Sequence, residues 1–249
     1  MKISGELLEK ITASLLRAEV DAIAEQAGRA GEFEDKTFSA EERSDGTIEI
    51  RLEGVMDGGW SGASAKEIIK SMGDYKKIHM VIDSPGGLVS QGLSIYTELR
   101  SRMKKGTKVT TEGRGTVASA AVLPMLAADS EDRSLVDGTM LMVHKPWGIL
   151  LAIGSEDDVE PEAKKMLGAL RAHTSNYAGI LVDRMDKEKS EIIDTMAAET
   201  WFAVDEAIEY GFAGEKAEAS ASDREKIYSR AIDKAADLTA TNILNTIGA

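Results

Sequence analysis

Apolar residues recur at helical spacing through the first thirty positions, where Leu7, Leu8, Ile11, Leu15, Ala18, Ala22 and Ile23 alternate with charged side chains. This pattern predicts an amphipathic helical arm. The next stretch, GRAGEFEDKTFSAEERSDG, is polar and punctuated by glycine, and reads as a linker. The period then changes. TIEIRLEG alternates as a half-buried strand does, IHMVID is a short β-branched run of the buried type, and SQGLSIYTELRSRMKK returns to helical spacing. TKVTTEG predicts a strand, AAVLPMLAA a helix and GTMLMVH a strand, so strands and helices alternate as in a parallel α/β architecture. Residues 156–193 are helical by pattern, and after GFAGE the segment DREKIYSRAIDKAADLTATNIL predicts a second helical arm. The expected organisation is an arm and linker over 1–45, a main domain over 46–216 and a C-terminal arm over 217–249. There is no internal repeat and no low-complexity tract.

Composition narrows what such a domain does. A chain of 249 residues accommodates one large domain with appended arms. With 43% apolar and 29% charged residues it is ordinary for a soluble globular protein. A formal net charge of -13 argues against nucleic acid or an anionic membrane as the main partner. The absence of cysteine excludes disulfides, thiolate-bound zinc and a thiol nucleophile, so covalent catalysis would have to use another side chain. No segment approaches the roughly 18–20 apolar residues of a membrane helix, and MKISGELLEK lacks the apolar region of a signal peptide. The expectation is a soluble, unsecreted protein of the cytoplasm.

Three segments rich in glycine or polar residues fall at the ends of expected strands, where open α/β sheets place their ligands: DSPGG, TVASAA and MVHKPWG. In GRGTVASAAVLP a single serine, Ser119, sits among glycines and alanines where an apolar run begins. A hydroxyl at that junction serves as a helix N-cap or as a nucleophile, and the local sequence leaves both open. Pro85, Gly86 and Gly87 form either a plain tight turn or a turn that presents backbone amides to an anion. Of the three histidines, His79 lies inside a strand pattern and His173 inside a helical one, whereas His144 ends a strand and is best placed as a base. Activating a serine requires a base in hydrogen-bond reach and amides aimed at the developing oxyanion, so the three segments could serve one reaction if the fold joins them.

Five motifs in order now become informative: GGWSGASAKEIIK, IDSPGGLVSQGLSIYTELR, GTVASAAVLPMLAA, MLMVHKPWG and AETWFAVDEAIEYGFAGE. Over about residues 46–215 they resemble the Clp-type serine peptidases, most closely the phage branch of head maturation proteases. The resemblance implies an α/β ClpP/crotonase-like fold of repeated β-β-α units, flanked here by the helical arms. It aligns Ser119 with the nucleophile and His144 with the base, and implies that Ser119 sits at a helix N-terminus in a tight turn. It assigns the oxyanion donors to the amides of Gly87 and Ala120, and it requires no metal or organic cofactor. Ala120 stands where the family commonly has methionine, a change that touches substrate packing more than an amide donor. Pro124 is a second departure, since proline inside a helix removes a hydrogen bond and is expected to kink or shorten it. The third triad position, an aspartate in the family, falls on Thr200, which carries no charge. Glu199 and Asp194 are substitutes that the alignment does not select.

For partners, the resemblance implies homo-oligomeric rings with the helix at about 160–185 as the ring-to-ring handle, a polypeptide substrate, and an unfoldase ATPase as an open question. The phage branch adds capsid or scaffold protein as the substrate of a procapsid protease. Two competing readings differ in class: a coenzyme A thioester enzyme of the crotonase type, disfavoured by the ordered Ser119 and His144, and a noncatalytic scaffold that has kept the fold.

Overall fold

The computed structural model describes residues 5–29, 37–59, 62–147 and 156–218. The C-terminal helical arm expected over 217–249 lies almost wholly outside the described residues. The chain divides into two compact units, Met1–Lys216 and Ala217–Ala249, and the first holds the sheet core and the candidate site.

The expected N-terminal helix is α1, Gly5–Gln26. Part of the polar segment read as a linker is instead a strand, β1 (Phe38–Glu42), paired antiparallel with β2 (Ile48–Leu52). The turn between them is held by Asp45, whose carboxylate accepts from the Thr47 amide at 3.0 Å and from its hydroxyl at 3.0 Å. β1 is mostly exposed, so it lacks the apolar alternation by which a strand is recognised. β2 alternates as TIEIRLEG predicts, with Ile48, Ile50 and Leu52 buried.

The parallel core comprises α2 (Ala65–Ser71), β3 (Lys77–Ser84), α3 (Val89–Lys104) and β4 (Lys108–Ala118). β2, β3 and β4 lie side by side in parallel. After β4 come a 3-10 turn, Ser119–Ala121, and α4, Val122–Met125. AAVLPMLAA predicts one continuous helix here, but only a single turn is α-helical. Pro124 has no amide hydrogen to donate, and the Leu126 and Ala127 amides close the end on Val122 and Pro124. A second 3-10 turn, Ser130–Asp132, leads into β5 (Arg133–Val136) and then β6 (Met140–Val143). The helical stretch over 156–193 resolves into α5 (Glu156–Met185) and α6 (Lys189–Ala197), broken at Asp186, which has a positive φ of 52°. β7 (Thr200–Phe202), α7 (Val204–Tyr210) and β8 (Glu215–Ala217) complete the order.

The eight strands form one mixed, mostly parallel sheet in the order β1-β2-β3-β4-β5-β8, with β6 branching from β4 and β7 pairing antiparallel to β6. The branch positions the site. The first half of β4, Thr111–Gly113, pairs with β5, whereas its last three residues, Thr116–Ala118, pair with β6. One long strand therefore serves two neighbours, and its C-terminus is delivered beside that of β6. The core fills the space between sheet and helices with Ile50, Leu52, Met80, Ile82, Leu99, Val117, Leu123 and Leu141, all essentially solvent-free. The buried Arg133 ties β5 to two chain reversals, donating to the carbonyls of Phe212 at 3.2 Å and Arg184 at 3.0 Å.

Candidate active site

The parallel register pairs Ala118 with Met142, so Ser119 and the residues after Val143 emerge together at the C-terminal ends of β4 and β6. The Ser119 Oγ lies 2.7 Å from His144 Nε2. Both residues are nearly buried, at 7% and 9% exposure. Ser119 has a φ of 53°, a left-handed conformation that costs a non-glycine residue about 1–3 kcal/mol. Ala118 before it is extended, and Val122 after it is helical. The chain thus reverses sharply at the serine and holds its side chain out of the sheet.

Small residues make that reversal fit. A Cβ on Gly92 of α3 would lie 2.4 Å from the Ala120 carbonyl, and one on Gly86 would lie 2.8 Å from Ser119 Cβ and 3.0 Å from the Ala120 nitrogen. Neither side chain is sterically tolerable, so the two glycines let α3 and the SPGG turn press against the serine turn. From α5, the buried Tyr177 donates its hydroxyl to the Ser119 carbonyl at 2.8 Å. Nothing in the helical periodicity around Tyr177 marks it for this role.

The SPGG turn is fixed by Ser84, whose hydroxyl donates to the Gly54 carbonyl at 2.6 Å and accepts from the Gly86 amide at 3.1 Å. Met56 forms a parallel bridge with Gly87, in which the Met56 amide donates to Gly86 and its carbonyl accepts from Leu88. A parallel bridge uses the neighbours of the facing residue, so the Gly87 amide points away from Met56. Ala120 is the second residue of the 3-10 turn, where the first amides have no partner within the turn. The peptide units carrying the Gly87 and Ala120 amides thus adjoin one another beside Ser119.

The other edge of His144 faces a carboxylate. β6 and β7 pair Val143 with Thr200, so continuing the antiparallel ladder sets His144 opposite Glu199. The His144 Nδ1 lies 3.8 Å from Glu199 Oε2, an ion-pair separation too long for a direct hydrogen bond. Glu199 also has a positive φ, 51°. Thr200, the residue aligned with the third triad position, turns its hydroxyl elsewhere and donates to the Thr195 carbonyl at 2.8 Å. The structure therefore brings Glu199, and not the Thr200 hydroxyl, to the imidazole. The one-residue offset arises because successive strand residues face opposite sides. Burial lowers the His144 pKa below its usual value, and the Glu199 charge partly opposes this. The ring is consequently neutral at pH 7, with Nε2 free to accept the Ser119 proton.

A further acid stands on the serine side. Glu19 of α1 places Oε1 3.7 Å from His144 Nε2. Its burial, with the Glu199 charge nearby, pushes its pKa up to about 8. The amphipathic pattern of the arm predicts a buried face but does not say that the face covers this site. Elsewhere, His79 Nδ1 lies 2.8 Å from the Thr110 hydroxyl, within the β3–β4 ladder and away from the site. Among the described residues no group of three or more His, Asp or Glu side chains is arranged to hold a metal ion.

A family model described as Clp protease matches residues 64–219, more than half of the chain. The chain belongs to the Clp protease family. Among curated proteins it is 28% identical over 145 residues to the ATP-dependent Clp protease proteolytic subunit 2 of Treponema pallidum, covering 58% of this chain and 68% of that protein. It is 32% identical over 136 residues to the subunit of the same name from Chlamydia trachomatis, covering 55% and 63%. The chain thus spans about two thirds of the length of these relatives. Among solved structures, a ClpP1 point mutant from Listeria monocytogenes superposes with a TM-score of 0.58 at 22% identity, over 69% of this chain and 91% of that one. The mixed α/β, mostly parallel architecture expected from the sequence is the fold of a Clp protease, and the chain is by family a serine-type peptidase. Helix α1, strand β1 and strand β2 all precede the matched segment.

Proposed function

We propose that the chain hydrolyses peptide bonds as a serine endopeptidase, with Ser119 as nucleophile and His144 as general base. The observation that carries the reading is the 2.7 Å contact between Ser119 Oγ and His144 Nε2 on a strained turn. Ser119 attacks the substrate carbonyl while His144 takes its proton at Nε2. The tetrahedral oxyanion lies against the Gly87 and Ala120 amides, which are already oriented and need no reorganisation. The imidazolium then protonates the leaving amine, and water repeats the sequence on the acyl-enzyme. Glu199 stabilises the imidazolium through Nδ1 in place of an aspartate, closing its gap as the ring gains charge. Thr200 keeps only a structural part, through Thr195.

The substrate in this reading is a polypeptide and the working form a homo-oligomeric ring with α5 at the ring contact, both inferred from family membership. Residues 46–216 are read as the peptidase domain, to whose sheet β1 adds an edge strand from the preceding segment. The finer reading, a procapsid protease that trims capsid or scaffold protein, is favoured by the motif order and by the long arm that precedes the family match. The test is a serine-directed fluorophosphonate applied to the protein and to Ser119→Ala. One adduct on the parent and none on the variant supports the peptidase, and equal labelling overturns it. Incubation with purified scaffold protein, set beside a Clp ATPase with an unfolded substrate, separates capsid maturation from general turnover.

A further inference from the structure

The face of α1 that meets the rest of the molecule is narrow and apolar. Leu16, Val20, Ile23 and Ala24 are buried along it at the spacing of one helical stripe. Val20 and Ala24 pack on Val55, which precedes the SPGG-facing Met56. Ile23 packs on Ala118, Met142 and Trp201. These are the residue before the nucleophile, a strand residue two before the base, and the strand residue paired with it. Polar contacts secure the end of the helix: the Trp201 indole donates to Gln26 Oε1 at 3.1 Å, and Arg29 Nη2 donates to Asp83 Oδ2 at 2.9 Å. Asp83 also accepts from the Thr116 amide at 3.0 Å, which links the pair to β4.

This helix lies against the surface that the reaction assigned to Ser119 and His144 requires for its substrate. The scissile carbonyl must approach Ser119 Oγ, and the leaving nitrogen must come within about 3 Å of His144 Nε2. Glu19 Oε1 stands 3.7 Å from that nitrogen, and Ser119 itself is only 7% exposed. We propose that α1 is a resident occupant of the substrate-approach surface, holding the peptidase closed until the helix is displaced. The inference rests on the assignment of Ser119 and His144 above and names the regulation of that site.

The contact is built to respond to pH. Glu19 faces His144 from the end of β6 and Glu199 from the start of β7, while Arg29 at the end of the arm is occupied by Asp83. Glu19 docks most readily when protonated. Its pKa rises from 4.5 free to about 8 docked, so docking is strongest below pH 4.5 and weakens steadily as pH rises to 8. Above that range the largely buried Glu19 would carry a charge beside that of Glu199.

The experiment measures fluorophosphonate labelling of Ser119 in the full chain, with far-UV circular dichroism and melting as checks on folding. Ile23→Glu, which places a charge against Ala118 and Met142, should label at least tenfold faster than the parent. Arg29→Gln and Gln26→Ala loosen only the end of the helix and should shift the rate in the same direction, which keeps the test decisive should Ile23→Glu misfold. Parent labelling should climb from pH 5 to 8 more steeply than deprotonation of His144 alone allows, and Glu19→Gln should remove the extra climb. Folded arm variants that label at the parent rate across that range overturn the inference alone. Absence of serine labelling in every variant overturns the peptidase reading and takes the inference with it.

Discussion

The two sides of His144 meet parts of the molecule that are held in different ways. On one side the strand ends of β4 and β6, the Ser119 turn and the SPGG turn are locked by sheet register, by glycines in steric contact and by the buried Tyr177. On the other, α1 brings Glu19 to the same imidazole, and the arm is held by a stripe of aliphatic side chains, by the Trp201–Gln26 hydrogen bond and by Arg29 on Asp83 and Thr116. The first region cannot move without breaking the fold. The second is held by side-chain contacts and pairs with no strand, so its release would leave the sheet intact. In the proposed reading, a rigid Ser119–His144 pair beside a detachable cover separates chemistry from access.

Breaking the rigid side should produce the largest effects. Ser119→Ala and His144→Ala should each lower peptide cleavage by on the order of 10^4–10^6, with the fold retained, as checked by single-turnover assays and circular dichroism. Gly86→Ala should come next. Its Cβ would stand 2.7 Å from the Ala118 carbonyl at a φ of 98°, so activity should fall about a hundredfold and the melting temperature should drop with it. Releasing the arm works in the opposite direction, and Ile23→Glu should raise the labelling rate at least tenfold.

Legibility in the sequence divides along the same line. The alternation of strands and helices is readable, and so is the convergence of the Ser119 and His144 segments, because strand ends flanked by small residues leave a signal in composition and order. The short α4 is only half readable: Pro124 announces a disturbance, but an apolar run alone cannot show where a helix stops. β1 escapes because its side chains are largely exposed. The carboxylate nearest His144 Nδ1 stands one residue before the aligned Thr200. A motif alignment counts positions, whereas the β6–β7 register decides which face each residue presents, and it sets Glu199 opposite His144. Glu19 is not readable at all, since an amphipathic helix shows that one face is buried and not what it covers.

Smaller perturbations test that offset. Glu199→Gln should slow acylation by about tenfold, since the imidazolium loses the carboxylate facing Nδ1. It should also move the acid limb of the pH–rate profile once Ile23→Glu has released the arm. Burial sets the His144 pKa below 6.5, and Glu199 raises it, so activity in that background should be lost as pH falls through a midpoint below 6.5, and through a still lower one when Glu199→Gln is added. Thr200→Val should be the mildest change. It removes the hydrogen bond to Thr195, which should cost about 1 kcal/mol of stability by denaturant titration, and acylation should stay within about twofold of the parent.

The central claim, that Ser119 and His144 act as one catalytic pair, is tested most directly by intact-mass measurement of fluorophosphonate labelling over time. It is made on the parent, Ser119→Ala and His144→Ala, each also carrying Ile23→Glu so that the arm does not limit access. The account predicts a single adduct that maps to Ser119, disappears in Ser119→Ala and forms at least a hundredfold more slowly in His144→Ala. An adduct that persists in Ser119→Ala, or that forms at the same rate without His144, would contradict it.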